Sequence, residues 1–130
     1  LSISKVVIGS NKGWKENISL GKKTNQNFVQ IPFNRLIEMI TYKCRLEGIE
    51  VITAEESYTS KCSFLDNESV EKHDTYAGKR IKRGLFKSSN GTLINADVNA
   101  AYNIMKKHLG IEISSLDSVQ VCSTPKVLKF

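Results

Sequence analysis

The sequence contains few cysteines and prolines and has no long apolar run. Three Cys and two Pro occur among its 130 residues, and Cys44, Cys62 and Cys122 form no CxxC pair. An odd, widely spaced set of this kind argues against a disulfide framework and is typical of a reducing compartment. The lack of any apolar run of about 18 residues argues against a membrane-spanning helix, so we expect no membrane partner.

The N-terminus lacks both an initiator Met and the basic, apolar and small-residue sections of a signal peptide. Its first residues, "LSISKVVIGS", contain a strand-like run that no turn precedes. We therefore expect the chain to be a fragment of a longer protein. With 40% apolar residues in a chain of 130, it has the size and composition of one globular domain.

Positive charge outweighs negative charge and is clustered along the chain. Nineteen Lys and Arg against 13 Asp and Glu give a net charge of +6, which favours a polyanionic partner. The cations gather beside glycines in "GKK", in "NKGWK" (Lys12, Trp14, Lys15) and in "GKRIKRGLFK" (Lys79, Arg80, Lys82, Arg83, Lys87). A solvated loop would explain any one of these segments, but the three together favour nucleic acid.

Trp14 is the aromatic residue of the basic segment "NKGWK". With Lys12 and Lys15 beside it, its ring could stack on a base while the cations contact phosphates, as in the binding of single strands. The same ring could equally fix the loop onto the domain. The sequence leaves both interpretations open.

The first half of the chain predicts a strand, a helix and a second strand. Residues 3–9 form a β-branched run, and "IEVITA" (49–54) forms another. Between them, residues 10–28 predict a long exposed loop, and Pro32 then begins a helix that ends at Gly48. The apolar face of this helix consists of Phe33, Leu36, Ile37, Ile40 and Cys44. This order of elements predicts a parallel strand pair covered by the helix.

The second half predicts loops, a hairpin and one further helix. Turn signals occur at "DNES", "YAGK" and "SSNG", with little helical periodicity between them. The helix is predicted from about Asp97 to Leu109, with Gly110 ending it. Its predicted apolar face consists of Val98, Ala101, Tyr102 and Met105. From Ile111 onward the pattern is weak.

Three acids lie where predicted strands end. Glu55 and Glu56 follow "IEVITA", and Asp97 follows "TLI" at the start of the second helix. Ligands of α/β sheets collect at the carboxyl ends of parallel strands. Carboxylates brought together there bind Mg²⁺ or Mn²⁺, which can activate water for phosphodiester cleavage. Spacing alone also fits a cap or first-turn acid for Asp97 and a solvated sheet edge for the Glu pair.

Three segments closely resemble the C-terminal part of TnpB/OrfB proteins: "VVIGSNKGWKENISLGKKTNQNFVQIPF", "ESYTSKCSFLD" and "YAGKRIKRGLFKSSNGTLINADVNAAYNI". These insertion-sequence "transposases" act as RNA-guided DNA endonucleases and are related to type V CRISPR effectors and Fanzors. The resemblance implies an α/β fold, a partial ribonuclease H-like (RuvC) mixed sheet with flanking helices. Residues 1–109 would be the C-terminal part of the nuclease domain, with a zinc-ribbon-like insertion at about 58–95, and residues 110–130 a tail.

The same resemblance assigns the catalytic acids. Asp97 matches the last of three, the Asp of the family's D-x-N-A-A motif. The middle acid of the family is a Glu that follows a strand, and Gly9 stands in its place here. We predict Glu56 as the substitute, in preference to Glu55, because Fanzors and some TnpB relatives have such a relocated Glu. The family's first Asp lies upstream of this chain, so we expect Mg²⁺ or Mn²⁺ as cofactor of the complete protein and little activity from the chain alone.

This chain departs from the zinc-ribbon pattern of the family. Relatives have CxxC twice, whereas here Leu65 follows three residues after Cys62, and Lys87 and Asn90 lie near the places of the second pair. Structural zinc needs four Cys or His ligands, and the two histidines of the chain do not complete the set. We therefore predict a metal-free knuckle that binds no zinc but keeps its basic hairpin for contact with phosphates.

The resemblance also implies partners and a location. DNA and a guide RNA are the expected partners, and a prokaryotic, cytoplasmic and nucleoid-associated protein with a role in transposition is the expected context. An unpartnered sheet edge can pair with a second copy, which predicts a homo-oligomer if the edge stays open. The alternative hypothesis is a catalytically decayed nucleic-acid-binding module of the same fold, favoured by Gly9 and the missing zinc cysteines.

Overall fold

The computed structural model describes residues 3–10 and 33–111. The chain divides into two compact units, Leu1–Glu55 and Glu56–Phe130. The predicted loop at 10–28 and the predicted tail lie almost wholly outside the described residues. None of the helices within the described ranges has the length and apolarity to cross a membrane.

The described residues of the first unit form two parallel strands and a helix. Strand β1 spans Lys5–Ser10, helix α1 spans Phe33–Leu46, and strand β2 spans Glu50–Glu55. The two strands pair in parallel, in a register that runs from Lys5 opposite Glu50 to Ser10 opposite Glu55. The predicted strand, helix and strand order and the parallel pairing are therefore confirmed.

Helix α1 packs against β2 and ends where the sequence predicts. Gly48 follows its last turn with a positive φ of 70°, a conformation that glycine adopts without steric cost. Ile37, Ile40 and Cys44 are half-buried. Leu36, predicted on the same face, is 48% exposed, so the described strands cover only part of the predicted apolar face of this helix. Three further large side chains of the helix are exposed, namely Met39, Tyr42 and Leu46.

The part of the second unit that the structure describes, up to residue 111, forms a three-stranded antiparallel sheet and a helix. Strands β3 (Lys79–Lys82), β4 (Leu85–Lys87) and β5 (Leu93–Asn95) pair in the order β3-β4-β5. Helix α2 follows β5 directly and spans Ala96–Leu109. The predicted hairpin is confirmed, and the helix ends at Gly110, which has a φ of 65° and donates its backbone N–H to the Lys106 carbonyl at 3.0 Å.

The core of the second unit joins the sheet to α2. Phe86 and Ile94 are buried with Ala96, and three half-buried side chains pack on them, namely Leu65, Val98 and Tyr102. The Phe64 ring is fully buried and stacks on Tyr102, with ring centroids 4.7 Å apart. Burial of one such large apolar side chain contributes about 1.5–3 kcal/mol to stability. The segment after β2 and the helix are thus held together by aromatic packing.

One prediction about α2 is wrong in detail. Ala101 was predicted on its packing face and is exposed, whereas Asn99 and Asn103 are fully buried. The described residues as a whole form a small mixed α/β structure with two helices and two small sheets.

Candidate carboxylate site and basic hairpin

Asn95, and not Asp97, caps helix α2. The Asn95 side chain accepts hydrogen bonds through Oδ1 from the backbone N–H groups of Asp97, at 2.9 Å, and Val98, at 3.1 Å. These are the free amides of a first helical turn, which a short polar side chain just before the helix satisfies. The predicted interpretation of Asp97 as a first-turn acid is therefore confirmed, and its interpretation as the cap is wrong.

The carboxylate of Asp97 is exposed and makes no hydrogen bond or ion pair with any described residue. It lies in the first turn of α2, where the helix dipole favours a negative charge. Because Asn95 satisfies the local amides, this carboxylate has all of its lone pairs available to a ligand. Asp97 follows β5, which pairs antiparallel with β4 in a sheet separate from β1 and β2, so within the described residues it does not lie at the predicted edge of parallel strands.

Glu56 lies immediately after β2, as predicted, and is half-buried. Its backbone carbonyl accepts hydrogen bonds from the Thr59 N–H at 3.2 Å and from the Thr59 hydroxyl at 2.8 Å. Tyr58, inside this turn, has a φ of 67°, a left-handed conformation that is uncommon outside glycine. The segment that follows Glu56 is thus a tight, hydrogen-bonded turn.

Asn99 and Asn103 connect α2 to the segment after Glu56. Asn99 Oδ1 accepts a hydrogen bond from the Phe64 N–H at 2.9 Å, and its Nδ2 donates to the Cys62 carbonyl at 2.9 Å. Asn103 Nδ2 donates to the carbonyls of Thr59, at 2.8 Å, and of Cys62, at 2.7 Å. Two amides one helical turn apart therefore hold residues 59–64 on the helix that carries Asp97.

The described residues contain no group of three or more His, Cys, Asp or Glu side chains that could hold a metal ion. Asp97 and Glu56 are two single carboxylates, and Mg²⁺ in enzymes is usually held by one or two carboxylates together with water and substrate phosphates.

The positions that would form a zinc ribbon are occupied by side chains with other contacts. Cys62 is fully buried, its thiol donates to the Glu71 carbonyl at 3.6 Å, and burial raises the pKa of this thiol, which opposes the thiolate that zinc requires. Leu65 packs on the apolar core. Lys87 is exposed, and Asn90 Oδ1 accepts from the Ser88 hydroxyl at 2.6 Å. These four residues do not make a tetrahedral Cys and His site.

Hydrogen bonds connect residues 63–68 to residues 77–89 in this part of the chain. The Asp66 carboxylate accepts from the Ser89 backbone N–H at 3.0 Å and from the Ser89 hydroxyl. Burial by itself would raise the pKa of Asp66, but the hydrogen bonds that Ser89 donates oppose this effect, and the pKa lies below its ordinary value. The Glu68 carboxylate similarly accepts from the backbone N–H groups of Ser63, at 2.7 Å, and Ala77, at 2.9 Å.

The β3–β4 hairpin presents all five of the predicted basic side chains to solvent: Lys79, Arg80, Lys82, Arg83 and Lys87. Lys79 lies directly opposite Lys87 in the ladder, so two like charges face each other. The hairpin cations form no ion pair among the described residues. The ion pair found in those residues joins Lys5 to Glu50, at 3.2 Å. The hairpin is therefore a concentrated, uncompensated positive patch. The other predicted nucleic-acid contacts, Lys12, Trp14 and Lys15, lie outside the described residues.

Comparisons with known proteins place this arrangement in a family. The model of the family described as "Cas12f1-like, TNB domain" matches residues 33–104, more than half of the chain. The chain therefore belongs to the Cas12f1-like TNB domain family, and the predicted relationship to TnpB and type V proteins is confirmed at that level.

Within the curated proteins, the chain is similar to the CRISPR-associated endodeoxyribonuclease Cas12f2 of Micrarchaeota archaeon (strain CG1_02_47_40). The two sequences are 37% identical over 86 residues, which is 59% of this chain and 14% of that protein. The chain thus corresponds to a small part of the length of this relative. No solved structure matches the chain.

Sequence analysis did not assign a role to Asn99 and Asn103. The signal that could have identified them is the recurrence of Asn at every fourth position, Asn95, Asn99 and Asn103, which places the three side chains along one side of a helix. Because Asn is usually exposed, the sequence predicts the apolar residues between them as the packing face.

Proposed function

We propose that the chain is the C-terminal part of a TnpB-like, RNA-guided DNA endonuclease that acts in transposition through a RuvC-like nuclease domain of ribonuclease H fold. Membership of the Cas12f1-like TNB family supports the proposal, as does similarity to a protein named an endodeoxyribonuclease. The parallel β1–β2 pair with its connecting helix is compatible with one portion of such a sheet. DNA and a guide RNA are the proposed partners.

Asp97 is the residue on which this proposal chiefly rests. Its carboxylate is exposed, free of partners among the described residues and placed in the first turn of a helix that follows a strand. Glu56 is proposed as a second ligand because it follows β2 and precedes the turn that Asn103 holds. These two acids would contribute to a Mg²⁺ or Mn²⁺ site whose remaining ligands lie outside the described residues.

The hairpin patch is proposed as a nucleic-acid contact. Exposed cations without acidic partners attract phosphates, and Lys79 and Lys87 gain most because a phosphate relieves their mutual repulsion. The neighbouring knuckle is proposed to fold without zinc, since hydrogen bonds of Asp66 and Glu68 connect its segments. A zinc content of one equivalent by elemental analysis of the purified protein would contradict this proposal.

A decayed nucleic-acid-binding module is the second candidate. It is favoured by Gly9, which lies in β1 where the resemblance expects the middle acid. The two candidates share the basic hairpin and differ only in whether the acids support cleavage.

Cleavage assays distinguish the two candidates. The chain is expressed together with any coding sequence continuous with it, purified with its bound RNA, and assayed on DNA in Mg²⁺ as the parent and as Asp97→Ala, Glu56→Ala and Glu55→Ala. Loss of a carboxylate that holds the metal should lower cleavage at least as much as loss of a residue that only orients a ligand, which typically costs about 10- to 100-fold. Glu55 is an exposed acid at the end of β2 and serves as the matched control, so Glu55→Ala should keep the activity of the parent.

Parent-like cleavage by Glu56→Ala with loss in Asp97→Ala would overturn the role of Glu56 alone. Parent-like cleavage by Asp97→Ala would overturn the nuclease assignment of this site. Absence of cleavage from the parent, with DNA binding retained, would favour the decayed module.

Salt titration tests the hairpin. Each phosphate contact contributes about 0.9 to the slope of log affinity against log salt, so Arg80→Ala and Lys82→Ala should each lower the slope by about that amount. Lys5→Ala, which removes an exposed cation already paired with Glu50, is the control and should leave the slope unchanged. An unchanged slope in the hairpin variants would exclude the hairpin from the interface.

A further inference from the structure

We propose that Asn99 and Asn103 are positioning residues, buried amides that fix the Asp97 end of α2 relative to the turn after Glu56. This inference rests on the proposed function, because it concerns the placement of the two proposed carboxylates. Both residues are uncharged and fully buried, and their side chains bond to the backbone of residues 59–64.

The first step is geometric. Asn99 lies two residues after Asp97 and Asn103 lies one helical turn further, so both share a short stretch of α2 with the acid. Both side chains are 0% exposed. They make four hydrogen bonds of 2.7–2.9 Å, all to backbone atoms of residues 59–64. The helix is therefore fixed to this segment by directional bonds.

The second step connects the same network to Glu56. Thr59, whose carbonyl accepts from Asn103, donates both its N–H and its hydroxyl to the Glu56 carbonyl. Thr59 is itself buried, at 3% exposed. A continuous chain of hydrogen bonds thus leads from α2 through Thr59 to the residue that carries the second proposed carboxylate.

The third step is chemical. Asn99 accepts from one backbone group and donates to another, which requires an amide and which neither an apolar side chain nor a carboxylate can do. Asn103 donates to two carbonyls, while its buried Oδ1 has no partner among the described residues. A buried oxygen without a donor is unfavourable, so packing alone would be served better by an apolar residue at this position. The directional bonds account for the amide.

Hydrogen exchange tests the bonds themselves in the 130-residue chain. The Phe64 N–H donates a hydrogen bond to Asn99 Oδ1 and should therefore exchange slowly in the parent. Asn99→Leu removes the acceptor and should make the Phe64 N–H exchange faster. Asn99→Asp keeps the acceptor but loses the donor to the Cys62 carbonyl, so the Phe64 N–H should exchange more slowly in this variant than in Asn99→Leu. Val98→Ala is the matched control, because it removes packing in the same helix without removing a hydrogen bond to residues 59–64.

Cleavage kinetics test the positioning role in the protein used for the nuclease assay, at a temperature where every variant is fully folded. Displacement of a catalytic group by about 1 Å can cost about 10²-fold, so Asn99→Leu and Asn103→Leu should lower kcat by about 10- to 100-fold with KM for DNA unchanged. Asn99→Asp should retain more activity than Asn99→Leu. Val98→Ala should keep the kcat of the parent even if its Tm falls as far as the Tm of the two leucine variants.

Two results would overturn the proposal. One is unchanged exchange at Phe64 in Asn99→Leu, and the other is a parent-like kcat in both leucine variants despite faster exchange. Parent-like cleavage by Asp97→Ala would instead refute the proposed function, and the exchange measurement would still report whether the amides hold residues 59–64.

Discussion

The two units of the chain differ in how they are stabilised. In the second unit, Phe64, Phe86 and Ile94 are almost completely buried, and amide and carboxylate side chains connect the segments between them. In the first unit, Ala54 is the one described apolar side chain that is buried, and α1 exposes Leu46 at 67%. The second unit therefore has its own core, whereas the first has a two-stranded sheet and a half-covered helix.

This difference indicates what each unit requires. A two-stranded sheet is marginally stable on its own, so the first unit depends on further packing to cover the exposed face of α1. The second unit combines apolar burial with side-chain bonds to the backbone, which specify a single arrangement. We expect the proposed site residues of the second unit to keep their geometry when the first unit opens.

The largest expected effect comes from the core of the second unit. Phe86→Ala should destabilise it by about 3–5 kcal/mol, because it removes a fully buried ring and leaves a cavity. Leu46→Ala in the first unit should change stability by less than about 0.5 kcal/mol. Urea unfolding followed by NMR signals from each unit measures both. Equal effects would remove the contrast between the units.

A smaller effect is expected at Gly78, where the backbone approaches the Phe86 ring. A Cβ at this position would overlap the ring and lie 2.8 Å from the Lys87 carbonyl oxygen. Gly78→Ala should therefore cost about 1–3 kcal/mol through overpacking. In the Phe86→Leu background part of that cost should disappear, since a smaller side chain leaves room for the methyl group. Additive costs in the double variant would contradict the overlap.

The cap of α2 should contribute about 1 kcal/mol. Asn95→Ala removes the side-chain oxygen that accepts from the Asp97 and Val98 amides, whereas Asn95→Asp keeps a side-chain oxygen as acceptor. Thermal unfolding should rank the parent and Asn95→Asp above Asn95→Ala. Equal melting temperatures for all three would show that the cap adds nothing to the second unit.

The smallest expected effect depends on pH. The folded-state pKa of Asp66 is below its unfolded value, so the ionised group stabilises the fold above about pH 4, and this contribution is lost as pH falls through the folded pKa. Asp66→Asn should cost less than about 1 kcal/mol at pH 7, because the carboxylate is partly exposed. The difference between parent and variant, measured by urea unfolding, should shrink towards pH 3. A constant difference would exclude a role for ionisation.

Local signals predicted the elements better than the burial of their faces. Pro32, Gly48 and Gly110 bracket the two helices, and both ends of each were predicted within about two residues. The exposure of Leu36 could not be predicted, because it depends on the width of the sheet beneath α1. The burial of Asn99 and Asn103 could not be predicted either, because it depends on the path of residues 59–64.

The candidate site was predicted only as single residues. The sequence indicated Asp97 and Glu56 by their positions after strands, and the structure describes each of them there. Their use as metal ligands stays a prediction, as do the RuvC domain boundaries, oligomerisation through a sheet edge and the cytoplasmic location. Side chains that act through backbone contacts far apart in sequence, such as Asn103 on Thr59, have no local pattern that reveals them.

The register that places Lys79 opposite Lys87 links folding to the ionic surroundings. Their repulsion opposes closure of the hairpin, and added salt screens it, so moderate salt should raise the melting temperature of the second unit. A polyanion bound to the folded hairpin should raise it further, through preferential binding to the native state. The hairpin would then be most stable when it is occupied.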